Sequence, residues 1–310
     1  MSIQLELPEP QTVLDSLSAV AADQHLGPVP IEFELPGTGH PAVLDPFNRR
    51  LKVYDLSAKD LSASIAAAPD AAEEQVIGKV TAYALPGESH LWEDLGFRQE
   101  AVIRGFYSDS VDAHLWAAYP NPQREDCVRD AQHEAAVSIA ESKEPLATTA
   151  LLPGYDCRIA SPEDAADIAD LMSQTFPVYP TPISEHVIGE QIRTGSNHFR
   201  LVENPYGDLV AVASAELDLE RSSAEMTDCA TRPDLRGRGL MAHILSKLET
   251  DLLRRFGISD LYTIARADEV GMNCVFSKLG YEYTGRLVNN CRMPNGWESM
   301  NVWCKSSALA

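Results

Sequence analysis

The stretch "SAEMTDCATRPDLRGRGLM", residues 223–241, constrains this chain more than any other. A strand-like segment runs into Arg232, Arg236 and Arg238, with Gly237 and Gly239 set among them. An apolar period follows at once, with Leu240, Ile244, Leu245, Leu248 and Leu252 on one helical face. A strand, a glycine-rich turn and a long amphipathic helix leave the first N–H groups of the helix without intrahelical partners. With the positive end of the helix dipole, those groups form a site for an anion. Gly237 and Gly239 let the backbone approach phosphate oxygens with no Cβ in the way. Arg236 and Arg238 add charge where a pyrophosphate would lie. The stretch is not a Walker loop, having no Gly-Lys-Ser/Thr, and it lacks the GxGxxG spacing of a dinucleotide fingerprint.

A basic island is conspicuous here because the rest of the chain is acidic. Asp and Glu number 46 against 25 Lys and Arg, a formal charge of −21 over 310 residues. That is the wrong sign for a nucleic-acid partner. The excess acid reads as a solubilising surface, or as adaptation to a salty cytoplasm where repulsion among carboxylates is screened. No apolar run approaches the ~20 residues of a membrane span. The N-terminal "MSIQLELPEP" has no basic stretch ahead of an apolar one, so no secretory signal is expected. Cys127, Cys157, Cys229, Cys274, Cys291 and Cys304 show no CxxC spacing, and the histidines form no HExxH. The expectation is reduced thiols, a cytoplasmic protein and no metal. A homodimer is compatible with the sequence without being specified by it.

Residues 1–45 read as an N-terminal extension, punctuated by proline and glycine, with one or two short strands. Residues 46–120 follow an α/β pattern. A helical stretch, "AKDLSASIAAAPDAAE", leads to the strand "GKVTAYAL", a short helix ending in "LGF", and the strands "EAVIRGFYS" and "AHLWAAY". Residues 121–154 read as a helical linker carried by "REDCVRDAQHEAAVSIAES". The last segment, 155–310, begins with a helix at "SPED", where Ser161 caps, Pro162 takes the first helical position and Asp164 reaches back. Ile168, Leu171, Met172 and Phe176 then fall on one face. A second helix (184–194) precedes the strands "FRLVE", "DLVAVASAEL" and "SAEMTDCAT". The loop and its helix follow, stopping near Gly257, and then come "LYTIARA", the helix "GMNCVFSKL", and the strands "YTGRLVNN" and "ESMNVWCK". Both segments close on a short helix, Leu-Gly-aromatic, strand, turn and strand, the mark of an internal repeat. Only the second copy has the glycine loop.

The order Arg236-Gly237-Arg238-Gly239-Leu240-Met241, an Arg-x-x-Gly-x-small pattern, resembles the pyrophosphate loop of the GNAT N-acetyltransferases. Met241 stands where that family usually has Gly or Ala. The resemblance implies an α/β (α+β) GNAT fold: a mixed, mostly antiparallel twisted sheet flanked by helices. The first segment is expected to be a degenerate half-GNAT-like α/β domain that packs beside the catalytic domain and helps shape its substrate side. The resemblance further implies acetyl-CoA as co-substrate. Cys229, Ala230 and Thr231 would hold the pantetheine arm, and Arg236, Gly237, Arg238, Gly239, Leu240 and Met241 the pyrophosphate. A tyrosine that commonly protonates the leaving thiolate falls at Phe276, which has no proton to give. Cys274, Ser277, Tyr281 or water takes that part, or the thiolate leaves unaided.

Amide formation needs a neutral amine, and a lysine-like ammonium is almost wholly protonated at neutral pH. A carboxylate beside the acetyl group can take the proton. Glu225, eleven residues before Arg236, has the spacing of the glutamate base in histone acetyltransferases of this superfamily. Asp228 is the second candidate, as base or as a grip on an ammonium. It points to the opposite face of the strand unless a bulge intervenes.

The motifs "AEMTDCATRPDLRGRGLM", "YTIARADEVGMN", "GRLVNN" and "ESMNVWCK", with "FPVYPTPI", "NRRLKVYDL" and "LGFRQEAVIRGFYS", together resemble the beta-lysine N-acetyltransferase family. That resemblance implies acetylation of the terminal amine of beta-lysine to the compatible solute Nε-acetyl-β-lysine, with a lysine 2,3-aminomutase as supplier. A small diamino acid requires polar groups at fixed places. Candidates are Tyr179 after the first helix, Arg266 as a carboxylate partner, and Asn289, Asn290, Glu298 and Asn301 on the last two strands. Two readings stay open beside it: another small amine as acceptor, such as a polyamine or lysine derivative, or a non-catalytic acetyl-CoA-binding module.

Overall fold

The computed structural model describes residues 30–35, 37–61, 77–147, 150–179 and 183–306. Most of the N-terminal extension and most of the helix expected at "AKDLSASIAAAPDAAE" lie outside them; residues 58–61 are helical. The first segment supplies β1 (Ile31–Glu34), β2 (Pro41–Asp45), β3 (Arg50–Leu56), β4 (Lys79–Ala84), β5 (Arg98–Tyr107) and β6 (Val111–Ala118). The second supplies β7 (Asp156–Ile159), β8 (Asn197–Glu203), β9 (Leu209–Asp218), β10 (Ser223–Thr231), β11 (Asp260–Arg266), β12 (Glu282–Met293) and β13 (Gly296–Ser306).

All 13 strands join one mixed sheet in the order β1-β2-β3-β4-β6-β5-β12-β13-β11-β10-β9-β8-β7. Read outward from its centre, the order repeats. In each half a hairpin at the middle (β5/β6; β12/β13) pairs with an inner strand (β4; β11). That inner strand runs parallel to the next (β3; β10), and antiparallel strands complete the half. The matching sequence ends thus occupy matching places. The Leu-Gly-aromatic steps do so with the same backbone, Gly96 at φ 81° and Gly280 at φ 88°.

The helices follow their local signals. They are α1 (Ser89–Asp94), α2 (Asp130–Glu141), α3 (Ala165–Thr175), α4 (Glu185–Thr194), α5 (Leu240–Asp251) and α6 (Val270–Lys278). The Ser161 N–H donates to Asp164 Oδ2 at 2.7 Å ahead of α3, and Ser184 accepts from the Val187 N–H at 3.2 Å ahead of α4. Leu240, Ile244, Leu245, Leu248 and Leu252 are buried against the sheet, and Gly257 at φ 71° stops the helix they line. The linker helix starts later than its sequence suggests. Arg124 is buried and is used elsewhere, so the chain turns there and becomes helical only at Asp130. Among the described residues no helix is long and apolar enough to cross a membrane.

The seam between the halves is narrow and polar. β12 meets β5 at Gly285 opposite Ala101. Gly285 has φ 146°, and a Cβ there would stand 2.2 Å from the Glu100 carbonyl oxygen. Beside it, buried Lys79 donates to Glu100 Oε2 at 2.6 Å and to the Val288 carbonyl at 2.7 Å. Arg124 donates to the carbonyls of Asn289 at 2.7 Å and Asn48 at 2.9 Å. Lys79 is paired with a carboxylate, whereas Arg124 donates, among the described residues, to backbone carbonyls alone.

Candidate active site

β10 builds the site because it pairs unevenly. Its parallel register with β11 runs from Ser223↔Asp260 to Glu225↔Tyr262 and stops, while its register with β9 continues to Thr231↔Ala211. β11 carries on beside β13 as far as Arg266↔Met300. The two strands therefore splay into a wedge, with the Thr263 hydroxyl donating to the Met226 carbonyl at its apex, 2.8 Å. Cys229, Ala230 and Thr231 lie along the edge of β10 that faces the wedge, without a partner strand on that side. Among the described residues no strand pairs with that edge, which leaves room for an extended ligand, although the Thr231 carbonyl already accepts from Arg236.

The glycine loop closes the wide end. Gly237 (φ 74°) and Gly239 (φ 81°) hold left-handed backbone, and a Cβ at either would meet nothing within 4 Å. The conformation, not crowding, calls for glycine, and the space over the N-terminus of α5 is open. Arg236 and Arg238 are exposed there; Arg236 Nε donates to the Thr231 carbonyl at 3.3 Å. Leu240 and Met241 turn inward, 2% and 7% exposed, so the departure at Met241 is absorbed by the core and the loop presents only its amide. Phe276 is likewise buried, edge-on to Tyr281 at 5.2 Å. The Ser277 hydroxyl donates to the Ala140 carbonyl at 2.8 Å, and Tyr281 is in the core. Ser277 is thereby committed, Tyr281 is buried without a hydrogen bond to its hydroxyl among the described residues, and Cys274 is half-buried.

The opposite face of the sheet from α5 carries the carboxylates. Glu225 stands directly across from Glu216 on β9 and beside Tyr262 on β11. Cross-strand partners of this kind have Cβ atoms about 5 Å apart. The register of β10 slips between Thr227 and Ala230, where Asp228 takes φ 52°. That bulge turns Asp228 to the same side. Tyr179 Oη donates to its Oδ1 at 2.9 Å and Ser214 Oγ to its Oδ2 at 2.6 Å. Burial, then the charge of Glu216, pushes the Glu225 carboxyl up to about 8, while Lys52 pulls it back. Burial also raises Glu216 and Asp228. Glu225 nevertheless keeps part of its surface open. A carboxylate that is deep, accessible and proton-hungry near neutral pH is suited to general base catalysis.

The first segment covers this face. Rings step across from it: Tyr54 to Tyr83 at 4.6 Å, Tyr83 to Phe106 at 5.4 Å, and Phe106 to Tyr262 at 5.9 Å. Arg221, at the β9–β10 turn, locks the cover by pairing with Asp55 at 2.7 Å and Asp218 at 2.6 Å.

Residues 165–281 fit the model of the acetyltransferase (GNAT) family. Beta-lysine N(6)-acetyltransferase of Methanosarcina mazei is 38% identical over 252 residues, covering 74% of this chain and 91% of that protein. This chain belongs to the beta-lysine N(6)-acetyltransferase family. A second protein of that name, from Methanococcus maripaludis, is 28% identical over 84% of this chain and 93% of its own. The N-acetyltransferase YodP of Bacillus subtilis is 29% identical over 86% of this chain and 97% of its own.

This acetyltransferase uses acetyl-CoA and a small amine. Arg236→Ala is expected to raise the KM for acetyl-CoA roughly tenfold with little change in kcat, the pattern of lost ground-state binding. Steady-state kinetics at saturating amine checks it, and an unchanged KM would remove Arg236 from the pyrophosphate site.

Four residues expected at the substrate are engaged elsewhere. Arg266 forms a bidentate pair with buried Glu298, at 2.8 and 3.0 Å. Asn289 donates to the carbonyls of Arg124 at 2.8 Å and Asp126 at 3.0 Å, which pins the linker to the seam. Asn301 is fully buried between Arg286 and Asn273, at 2.9 Å from each. Their polar atoms answer to internal partners because β12 and β13 sit at the centre of a continuous sheet, where every buried polar group must be satisfied. Asn290 is buried in the same place, 2% exposed; its Nδ2 lies 3.7 Å from Cys291 Sγ, and its Oδ1 has no hydrogen-bond partner among the described residues. Tyr179 is the exception and reaches the carboxylates through Asp228. Sequence reasoning passed over Glu216 and Lys52. The only local trace of Glu216 is a lone charge on the alternating "VAVASAEL" strand, and that of Lys52 a second cation, two residues after Arg50, in "RLKVYDL".

Proposed function

We propose that this acetyltransferase moves the acetyl group of acetyl-CoA onto the ε-amine of beta-lysine, giving Nε-acetyl-β-lysine. The observation that carries the reading is the Glu225–Glu216 pair beside the apex of the wedge, backed by the names of the two relatives. In this reading the pantetheine arm lies along Cys229–Thr231 and the pyrophosphate on the loop, which leaves the thioester next to Glu225. Glu225 takes a proton from the substrate ammonium. The freed amine attacks the thioester carbonyl carbon; the C–N bond forms as the C–S bond breaks, and the second nitrogen proton passes to the departing thiolate through water or Cys274. Backbone N–H groups of the β10 edge are placed to polarise the carbonyl.

The product keeps one ammonium and one carboxylate, a net-neutral solute of the kind an acidic, salt-tolerant protein would work beside. A lysine 2,3-aminomutase would supply the substrate, and the cytoplasm, where acetyl-CoA is available and the six free cysteines stay reduced, is the expected compartment. The test is acetyl-CoA-dependent thiol release with beta-lysine, lysine and spermidine, with NMR to locate the acetyl group. Beta-lysine should exceed the others by about tenfold or more in kcat/KM. Robust turnover of another amine with none of beta-lysine would sink the proposal.

A further inference from the structure

A diamino acid brings two ammonium groups and one carboxylate, and the carboxylates around Glu225 answer only the first kind. Glu216, Glu225 and Asp228 share one face of β9 and β10. An anionic ligand group needs a cation, and the cations nearby are mostly spent. Arg50 is paired with Asp45 at 2.9 Å, and Arg221 with Asp55 and Asp218. Arg266 holds Glu298 at the far end of β11.

Lys52 differs from all of these. It lies on β3 two residues before Tyr54, in unbroken register with β4 (Lys52↔Thr81, Tyr54↔Tyr83), so it shares the face that carries Tyr54 and Tyr83. Its neighbours Leu51 and Val53 point the other way, into the core of the first segment. Its own face is continued by Phe106 and Tyr262 to the edge of Glu225. Lys52 is half-buried, and among the described residues it has neither a hydrogen bond nor a carboxylate at ion-pairing distance. The ammonium is nonetheless near enough to act on the charges of both Glu216 and Glu225.

We propose that Lys52 binds the carboxylate of the acceptor, so that the first segment, which has no glycine loop of its own, serves as the specificity wall of the active site. The proposal rests on the diamino-acid reading given above. It follows from charge and chemistry. Three carboxylates and one uncommitted ammonium on a partly desolvated face complement a ligand with two positive charges and one negative. A polyamine, with no anion to offer, would leave Lys52 uncompensated and repelled by the ligand's own cations. Discrimination between an amino acid and a simple diamine is then set on β3, about 170 residues in sequence from the base on β10.

The experiment uses the full chain with saturating acetyl-CoA and two acceptors, beta-lysine and 1,4-diaminopentane, which keeps the spacing of the two amines and lacks the carboxylate. Lys52→Met should lower kcat/KM for beta-lysine by about tenfold or more, through KM, the loss of one charge-assisted contact. The same change should raise kcat/KM for the diamine, because a repelling charge is gone. Lys52→Arg, which keeps the charge, should restore most of the preference for beta-lysine. A ratio between the two acceptors that does not move in Lys52→Met, including an equal loss on both, overturns the assignment and leaves the acceptor reading intact. Wild-type enzyme that acetylates the diamine but not beta-lysine overturns the acceptor reading and this assignment with it.

Discussion

Glu225→Gln lowers kcat/KM at pH 7 by about 10²-fold or more, with partial recovery as the pH rises. Removing a general base costs on the order of 10²–10⁴-fold, and at high pH a growing fraction of free amine bypasses the need for one. With the carboxyl at about 8, wild-type kcat/KM should climb through that pH, since only the ionised form accepts a proton, and the variant should lose that inflection. Stability moves the other way. The folded-state value lies above the ordinary carboxylate range near 4.3, so the folded protein binds this proton more tightly than the unfolded chain. The unfavourable contribution is absent below pH 4 and grows until the group ionises near 8. Glutamine, neutral throughout, should raise the Tm by about 2 °C or more at pH 8 and give no such gain at pH 4. Full activity in the variant would take Glu225 out of the mechanism.

Gly285→Val breaks the protein at its middle. β5 and β12 meet at this glycine, and the β-carbon would sit 2.2 Å from the Glu100 carbonyl oxygen and 2.5 Å from Ala101 Cα. Both obstacles are backbone inside a sheet, so neither can swing aside, and the φ of 146° is one that a β-branched residue does not adopt. The seam must open or the sheet must shift, and the Lys79–Glu100 pair beside it would lose its enclosure. The expected result is a fall in Tm of about 10 °C or more, or loss of soluble protein. Gly237→Ala is the control: it carries the backbone penalty of a left-handed residue alone, about 1–2 kcal/mol, because nothing lies within 4 Å of its Cβ. Equal thermal stability of Gly285→Val and wild type would show that the two halves do not depend on this contact.

Much of the fold and part of the site were legible in the sequence, and the division has a physical basis. The helices announce themselves through nearby residues: Ser161 with Asp164, Ser184 with Val187, and the Leu240–Leu252 stripe before Gly257. Capping and 3.6-residue periodicity are short-range effects. The glycine loop is legible for the same reason, since strand, turn and helix N-terminus are contiguous. The repeat is visible as two similar strings and appears in the structure as two similar strand orders. Where residues far apart in the chain meet, local reading failed. Asn289, Asn301, Glu298 and Arg266 carry the polarity of a ligand site, yet the central strands that hold them turn that polarity to internal partners.

The sequence by itself determined the chemistry of the co-substrate: an anion cradle at the start of α5, an open strand before it, and a carboxylate eleven residues upstream of Arg236. Only the tertiary structure decided the amine side. A one-residue bulge turns Asp228 to the face of Glu225, and the β9–β10 register sets Glu216 against Glu225. The pairing of two half-sheets through Gly285 carries Lys52 and a row of aromatic rings over both carboxylates. Strand register, bulges and the closing of one half-sheet over another are long-range pairings. No local period in the chain encodes them, and so the site proposed for the amine becomes readable only once the sheet is assembled.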